Sequence, residues 1–288
     1  MAVLSPTVRQ RRLVQELRRL RLEAGLSQVE VARQLDWSES KQIKIERGII
    51  PIRVPDVRAM LDLYGLSALD RHQERDMLLQ LARDARQRGW WHSYGDVIPG
   101  WFEIYVGLEA EASTLRTYQP ELVHGLLQTP DYYRAFMQIS PAASSDEEME
   151  RKIEVRKSRQ ARLDAADAPN YWTIMNEAAL RRPAGSPATM RAQLDHILER
   201  MTHPKVTVQV LPFSVGMHPA MDGPFVIVGF PESADLDVVY LESQTGALYL
   251  EERAQVDRYN QVFDHLRAKA LDPVDSRALI AQAARDLS

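Results

Sequence analysis

Arg9, Arg11, Arg12, Arg18 and Arg19 fall on the outer side of a segment whose other side repeats Leu13, Leu17, Leu20 and Ala24. Guanidinium groups are planar, forked and always charged, so a row of them suits phosphate oxygens. A solvated helix face carries such rows too, and the neighbouring elements must decide between the two readings. The histidines offer less chemistry. His72, His92, His124, His196, His203, His218 and His265 stand at no metal-ligand spacing, and there is no phosphate-cradling loop or Gly-x-Ser-x-Gly elbow. His218 and Asp222 share a Gly/Pro loop and could serve as base and orienter, although such loops more often only join strands. The expectation is no catalytic residue, no metal and no cofactor. Trp90, Trp91 and Trp101 crowd together with Phe102 and Tyr105. They suit a packing layer, a dimer surface or, with His218, a ligand pocket, since Trp and Tyr are favoured where one end is wet.

The elements that must position these groups are readable from local signals. The leucine spacing predicts a helix over residues 7–24. Ser27 is an N-cap with Glu30 at the capping-box position, and Val31, Ala32 and Leu35 follow at helical spacing. Asp36-Trp37 breaks that stripe, Ser38 offers a second cap, and Gly48 closes the second helix. Two short capped helices joined by a tight corner are a helix-turn-helix, whose second helix can enter a DNA major groove. Pro55 suits the first turn of a fourth helix ending at Gly65, and Ser67 caps a fifth reaching about Arg88. Charge supports the division. Residues 1–67 hold 12 Lys/Arg and 8 Asp/Glu, a balance of +4, whereas the rest carries −8 and the whole chain −4. A basic head on an acidic body fits a phosphate-facing domain joined to one that does not face DNA.

Gln28, Ala32 and the closing Ile45-Glu46-Arg47-Gly48 resemble the heads of the Cro and lambda-repressor (xenobiotic response element) superfamily. Two positions depart from its pattern: Asp36 stands where Gly is usual, and Gln42 where Val or Ile is usual. The resemblance implies that Glu39, Ser40, Lys41, Ile43 and Lys44 face base edges; Gln28 at a helix N-terminus, and Arg11 and Arg12 of the basic row, are expected on phosphate. It also implies a structural Arg21–Glu46 pair. Trp37-Ser38, Ser40-Lys41, Asp56 and Leu63-Tyr64-Gly65 narrow the resemblance to an actinobacterial regulator family, commonly described as toxin–antitoxin antitoxin-like. So do Gly107-Leu108-Glu109-Ala110-Glu111-Ala112, Gly125-Leu126-Leu127-Gln128-Thr129-Pro130-Asp131-Tyr132 and Glu177-Ala178-Ala179-Leu180-Arg181-Arg182-Pro183. Gln209-Val210-Leu211-Pro212-Phe213 and Val239-Tyr240-Leu241-Glu242 complete the set.

The expected fold is multidomain, an all-α helix-turn-helix head followed by an α+β domain with a small, mainly antiparallel sheet. Residues 1–68 are the DNA-binding domain, 69–105 a helical connector with the aromatic segment, and 106–288 a regulatory and dimerisation domain. In the last, residues 147–163 read as a charged, solvated helix with Glu147/Arg151 and Glu148/Lys152 pairs. The run at 206–211 alternates as a strand should, and those at 225–230, 237–241 and 247–250 read as an antiparallel meander. With no cysteine, no leader and no apolar run fit to span a bilayer, the expected location is cytoplasmic, nucleoid-associated when bound to DNA. The function expected is sequence-specific transcription regulation on a double-stranded DNA operator, as a homodimer answering to a small-molecule effector or a small protein partner encoded nearby. The alternative is an antitoxin-like interaction module whose DNA binding is autoregulatory.

Overall fold

The computed structural model describes residues 6–66, 71–86, 89–139, 144–230 and 237–287. The chain divides into two compact units, Met1–His92 and Ser93–Ser288.

The first unit is helical: α1 (Pro6–Glu23), α2 (Gln28–Gln34), α3 (Glu39–Glu46), α4 (Val54–Leu63) and α5 (His72–Asp84). Leu13, Leu17 and Leu20 of α1 meet Val31, Ile45, Val57, Met60 and Leu61 in one core. Each such side chain contributes roughly 1.5–3 kcal/mol by leaving water. The helix expected to be a connector belongs to this core. Leu78, Leu79 and Ala82 of α5 are buried in it, while its expected cap Ser67 and its expected end near Arg88 lie outside the described residues. The arginine row needs correction as well. Arg9 is only 7% exposed and donates to the Asp84 carbonyl at 3.1 Å, so it does not belong to the outer face.

The second unit is α+β. Its helices are α6 (Gly100–Glu111), α7 (Pro130–Gln138), α8 (Asp146–Gln160), α9 (Ala178–Arg181), α10 (Pro187–Arg200), α11 (Arg253–Lys269) and α12 (Pro273–Arg285). Strands β1 (Thr114–Gln119), β2 (Asn170–Asn176), β3 (Val206–Leu211), β4 (Phe225–Gly229), β5 (Val238–Ser243) and β6 (Gly246–Leu250) form one mixed sheet in the order β3-β2-β1-β4-β5-β6. The β1–β4, β4–β5 and β5–β6 pairs are antiparallel, so the sheet is mainly antiparallel as expected. The expected meander is β4, β5 and β6. Strand β3 runs parallel to β2, which is parallel to β1. Both strands that sequence periodicity missed, β1 and β2, carry a threonine at their centre. Thr117 and Thr173 are paired in register, fully buried, and joined hydroxyl to hydroxyl at 2.8 Å. A polar pair satisfied inside the sheet hides the apolar alternation that marks a strand.

Side chains alternate across the sheet as the pleat requires. Tyr118, Ile174, Ile227 and Val239 meet Val256, Phe263 and Leu266 of α11. On the other face Tyr240 stacks on Tyr105 of α6, ring centres 4.2 Å apart. Helix α8 is less solvated than its composition predicts. Ile153, Val155 and Arg159 are buried, Arg151 pairs with Asp96, and Lys152 donates to Ser144, so the two predicted i,i+4 pairs give way to other partners.

Candidate nucleic-acid interface

Two caps and one unusual residue shape the corner between α2 and α3. The Glu30 amide donates to Ser27 Oγ at 3.2 Å, and the Ser27 amide donates back to the Glu30 carboxylate at 2.8 Å. Ser38 Oγ receives the Lys41 amide at 3.1 Å and starts α3. Between them Asp36 takes φ 53°, and the Trp37 amide returns to the Ala32 carbonyl at 2.8 Å. This left-handed closure of a helix is the one that usually takes Gly. Gly48, at φ 67°, closes α3.

A buried carboxylate then holds α3 in place. Arg21 donates to Glu46 through Nε–Oε1 at 2.6 Å and Nη2–Oε2 at 3.0 Å, and its Nη1 to the Leu26 carbonyl at 2.6 Å. Gln28 and Gln42 each donate Nε2–H to Glu46 at 2.8 Å. Four donors on one carboxylate offset its desolvation, and removing one partner of such a pair typically costs about 3–5 kcal/mol. Gln42 is 0% exposed, so the apolar residue usual at this position is replaced by one that completes the hydrogen bonding of Glu46. Burial first, and Glu46 next, push the neighbouring Tyr64 phenol above its ordinary range.

The outward face of α3 presents Glu39, Ser40 and Lys44 to solvent, with Ile43 half-buried. Lys41 is committed differently: its ammonium lies 3.1 Å from Asp56 and 3.7 Å above the Trp37 ring. Gln28, expected on phosphate, turns its carboxamide onto Glu46. Arg11 and Arg12 are half-buried on α1 and Arg18 is exposed, while Arg19 is tied to Glu16, Glu23 and Glu74.

The four side chains expected to share a ligand pocket divide between the two units. Trp90 and Trp91 belong to the first unit and meet edge to face, ring centres 5.9 Å apart. Trp101 and His218 belong to the second. There the Trp101 ring meets the Phe102 edge at 6.1 Å, and His218 Nε2 sits 3.1 Å from the Tyr118 hydroxyl. His218 Nδ1 accepts from the Ala220 amide at 3.3 Å, so both ring nitrogens are engaged and Asp222 orients neither. Partial burial, then His265, hold its pKa down. Among the described residues no group of three or more His, Asp or Glu side chains is placed to hold a metal ion.

The second unit has a cavity of about 280 Å³ whose wall includes His124, Gln128, Arg156, Tyr240 and Glu242. Sequence reasoning assigned none of these to a site. The available signal was the grouping of Gly125 to Gln128 and of Val239 to Glu242 among the segments of the family resemblance.

Residues 12–73 match a family described as helix-turn-helix domain, and residues 102–282 match one described as domain of unknown function (DUF5753). Comparison with curated proteins gave no match, and comparison with solved structures gave none. The first match covers the capped corner and its supporting helices, the arrangement of a DNA-binding regulator head. The second spans more than half of the sequence and the whole sheet of the second unit, so the chain belongs to the DUF5753 family and carries a helix-turn-helix domain at its N-terminal side.

Proposed function

We propose that the protein is a sequence-specific transcriptional regulator that docks α3 in the major groove of an operator as a homodimer. Its second unit carries the dimer contact and receives a signal, and no catalysis is involved. The observation that carries the reading is the capped, Glu46-anchored α3 with Glu39, Ser40 and Lys44 on its open side. Lys44 suits guanine acceptors or a phosphate, Ser40 either base type, and Glu39 a cytosine amino group. A single head buries little surface and binds weakly, so a second copy supplies both affinity and half-site spacing.

The test is selection of bound fragments from the source genome by the purified full chain, followed by affinity measurement against random DNA. Lys44→Ala and Ser40→Ala should each reduce discrimination by about 5- to 150-fold, the equivalent of 1–3 kcal/mol per lost base contact, with the helical circular dichroism unchanged. Full discrimination in both variants would refute the docking. Absence of any preferred fragment at low ionic strength would refute the regulator reading itself.

A further inference from the structure

We propose that the cavity of the second unit binds a small planar molecule bearing one carboxylate, which pairs with Arg156 while a hydroxyl or N–H on the same molecule donates to Gln128. The case rests on polar groups that the protein leaves incomplete. The Arg156 guanidinium lies on the cavity wall, 3.8 Å above the Tyr133 ring, and its Nε is buried with no hydrogen-bond partner. Among the described residues no carboxylate lies within ion-pair distance of it. Arg159, one turn further on, shows what completion looks like. It donates to both oxygens of Glu109, at 2.7 and 2.8 Å, and is satisfied. Two guanidinium groups thus stand together, one paired with Glu109, and Glu242 acts on both from the cavity wall without an ion pair to either. Burial and the charge of Arg159 bring Arg156 down to about 10. A ligand anion would offset that cost.

Gln128 is only 5% exposed. Its Nε2–H is used on the Val123 carbonyl at 2.6 Å, its Oε1 is buried with no donor, and the residue is part of the cavity wall. Beside it His124 is neutral. Its Nδ1 faces the Tyr171 hydroxyl at 3.0 Å and the Leu126 amide at 3.4 Å, which leaves its proton on Nε2. Gly125 gives the guanidinium its room, because a Cβ there would lie 2.8 Å from Arg156 Nη1. Phe102, Phe136 and Phe225 supply apolar walls, and about 280 Å³ is near the small end of metabolite sites, which run from roughly 300 Å³ upward. Charge selects the anion. Burial raises the Glu242 carboxyl above its ordinary range; with that group protonated and Arg159 matched by Glu109, Arg156 leaves one positive charge, which a carboxylate meets and a phosphate dianion exceeds.

This site deepens the signal-receiving role proposed above and rests on that reading for its regulatory consequence, not for binding. The experiment is calorimetric titration and thermal unfolding of the full chain with benzoate, 4-hydroxybenzoate, the neutral 4-hydroxybenzamide and phenyl phosphate. Both carboxylates should bind and raise Tm, 4-hydroxybenzoate the more strongly, with the amide at least about tenfold weaker. Arg156→Gln should weaken carboxylate binding about 10- to 100-fold while leaving the Tm of the ligand-free protein unchanged or higher. Gln128→Leu should abolish the preference for the hydroxylated probe. The proposal is overturned if neither carboxylate binds at millimolar concentration, if Arg156→Gln binds them equally, or if phenyl phosphate binds more tightly. A fall in ligand-free Tm in Arg156→Gln, with no loss of binding, would assign the cation to structure and overturn it too. Operator affinity measured on the same preparations keeps the two ideas apart. Carboxylate binding without operator preference sinks the regulator, and operator preference without carboxylate binding sinks the site.

Discussion

Asp36 holds φ at 53°, the only non-glycine residue with positive φ among those described, at a helix end where Gly is the unstrained choice. An L side chain in this region costs about 1 kcal/mol, part of which Gly returns through the freer unfolded chain. Asp36→Gly is therefore expected to raise the stability of the head by up to about 1 kcal/mol, visible as a Tm increase of a few degrees. An unchanged or lower Tm would show that the aspartate is held by interactions that compensate the strain. The strain at this residue was legible in the sequence because left-handed helix closure is a local event. The role of Gln42 was not, because its worth depends on Glu46 being buried within hydrogen-bond reach, a matter of how three helices meet.

At the scale of elements, the turn Gly125–Leu127 and helix α8 place a neutral histidine beside two cations. Burial first, then Arg159 and Arg156, hold the His124 pKa well below its ordinary value of about 6.5. The unfolded chain then takes up a proton before the folded one does. Stability is complete above pH ~6.5 and is lost as pH falls from there toward the depressed folded value, with a slope of up to about 1.4 kcal/mol per pH unit. Urea unfolding at several pH values between 7 and 5 should show this loss in the native chain and a flatter profile in His124→Gln. Parallel profiles would show that other groups set the acid limb. Helix α8 itself was visible in its charge pattern. Which of its arginines turned inward was not visible, because Arg159 is buried only by virtue of Glu109 on α6, fifty residues away.

Across the whole molecule the charge is divided, +4 over residues 1–67 against −8 over the rest. A head of this kind binds phosphate by releasing counterions, so affinity falls as salt rises. Arg11→Ala should weaken binding to operator and random DNA alike and reduce the slope of log affinity against log salt by about one. Loss confined to the operator, with the slope kept, would place Arg11 on a base rather than on phosphate. No helix among the described residues is long and apolar enough to cross a membrane.

The sequence by itself determined the helix-turn-helix corner, the ends of its helices and the α+β character of the second unit, because caps, breakers and periodicity act within a few residues of each other. The tertiary structure alone decided three things: the parallel placement of β1, β2 and β3, the inward turn of Arg9 and Arg159, and the convergence of Gln128, Arg156 and Glu242 on one cavity. Each depends on a polar group losing water and finding its partner far along the chain. Local pattern carries no record of that pairing.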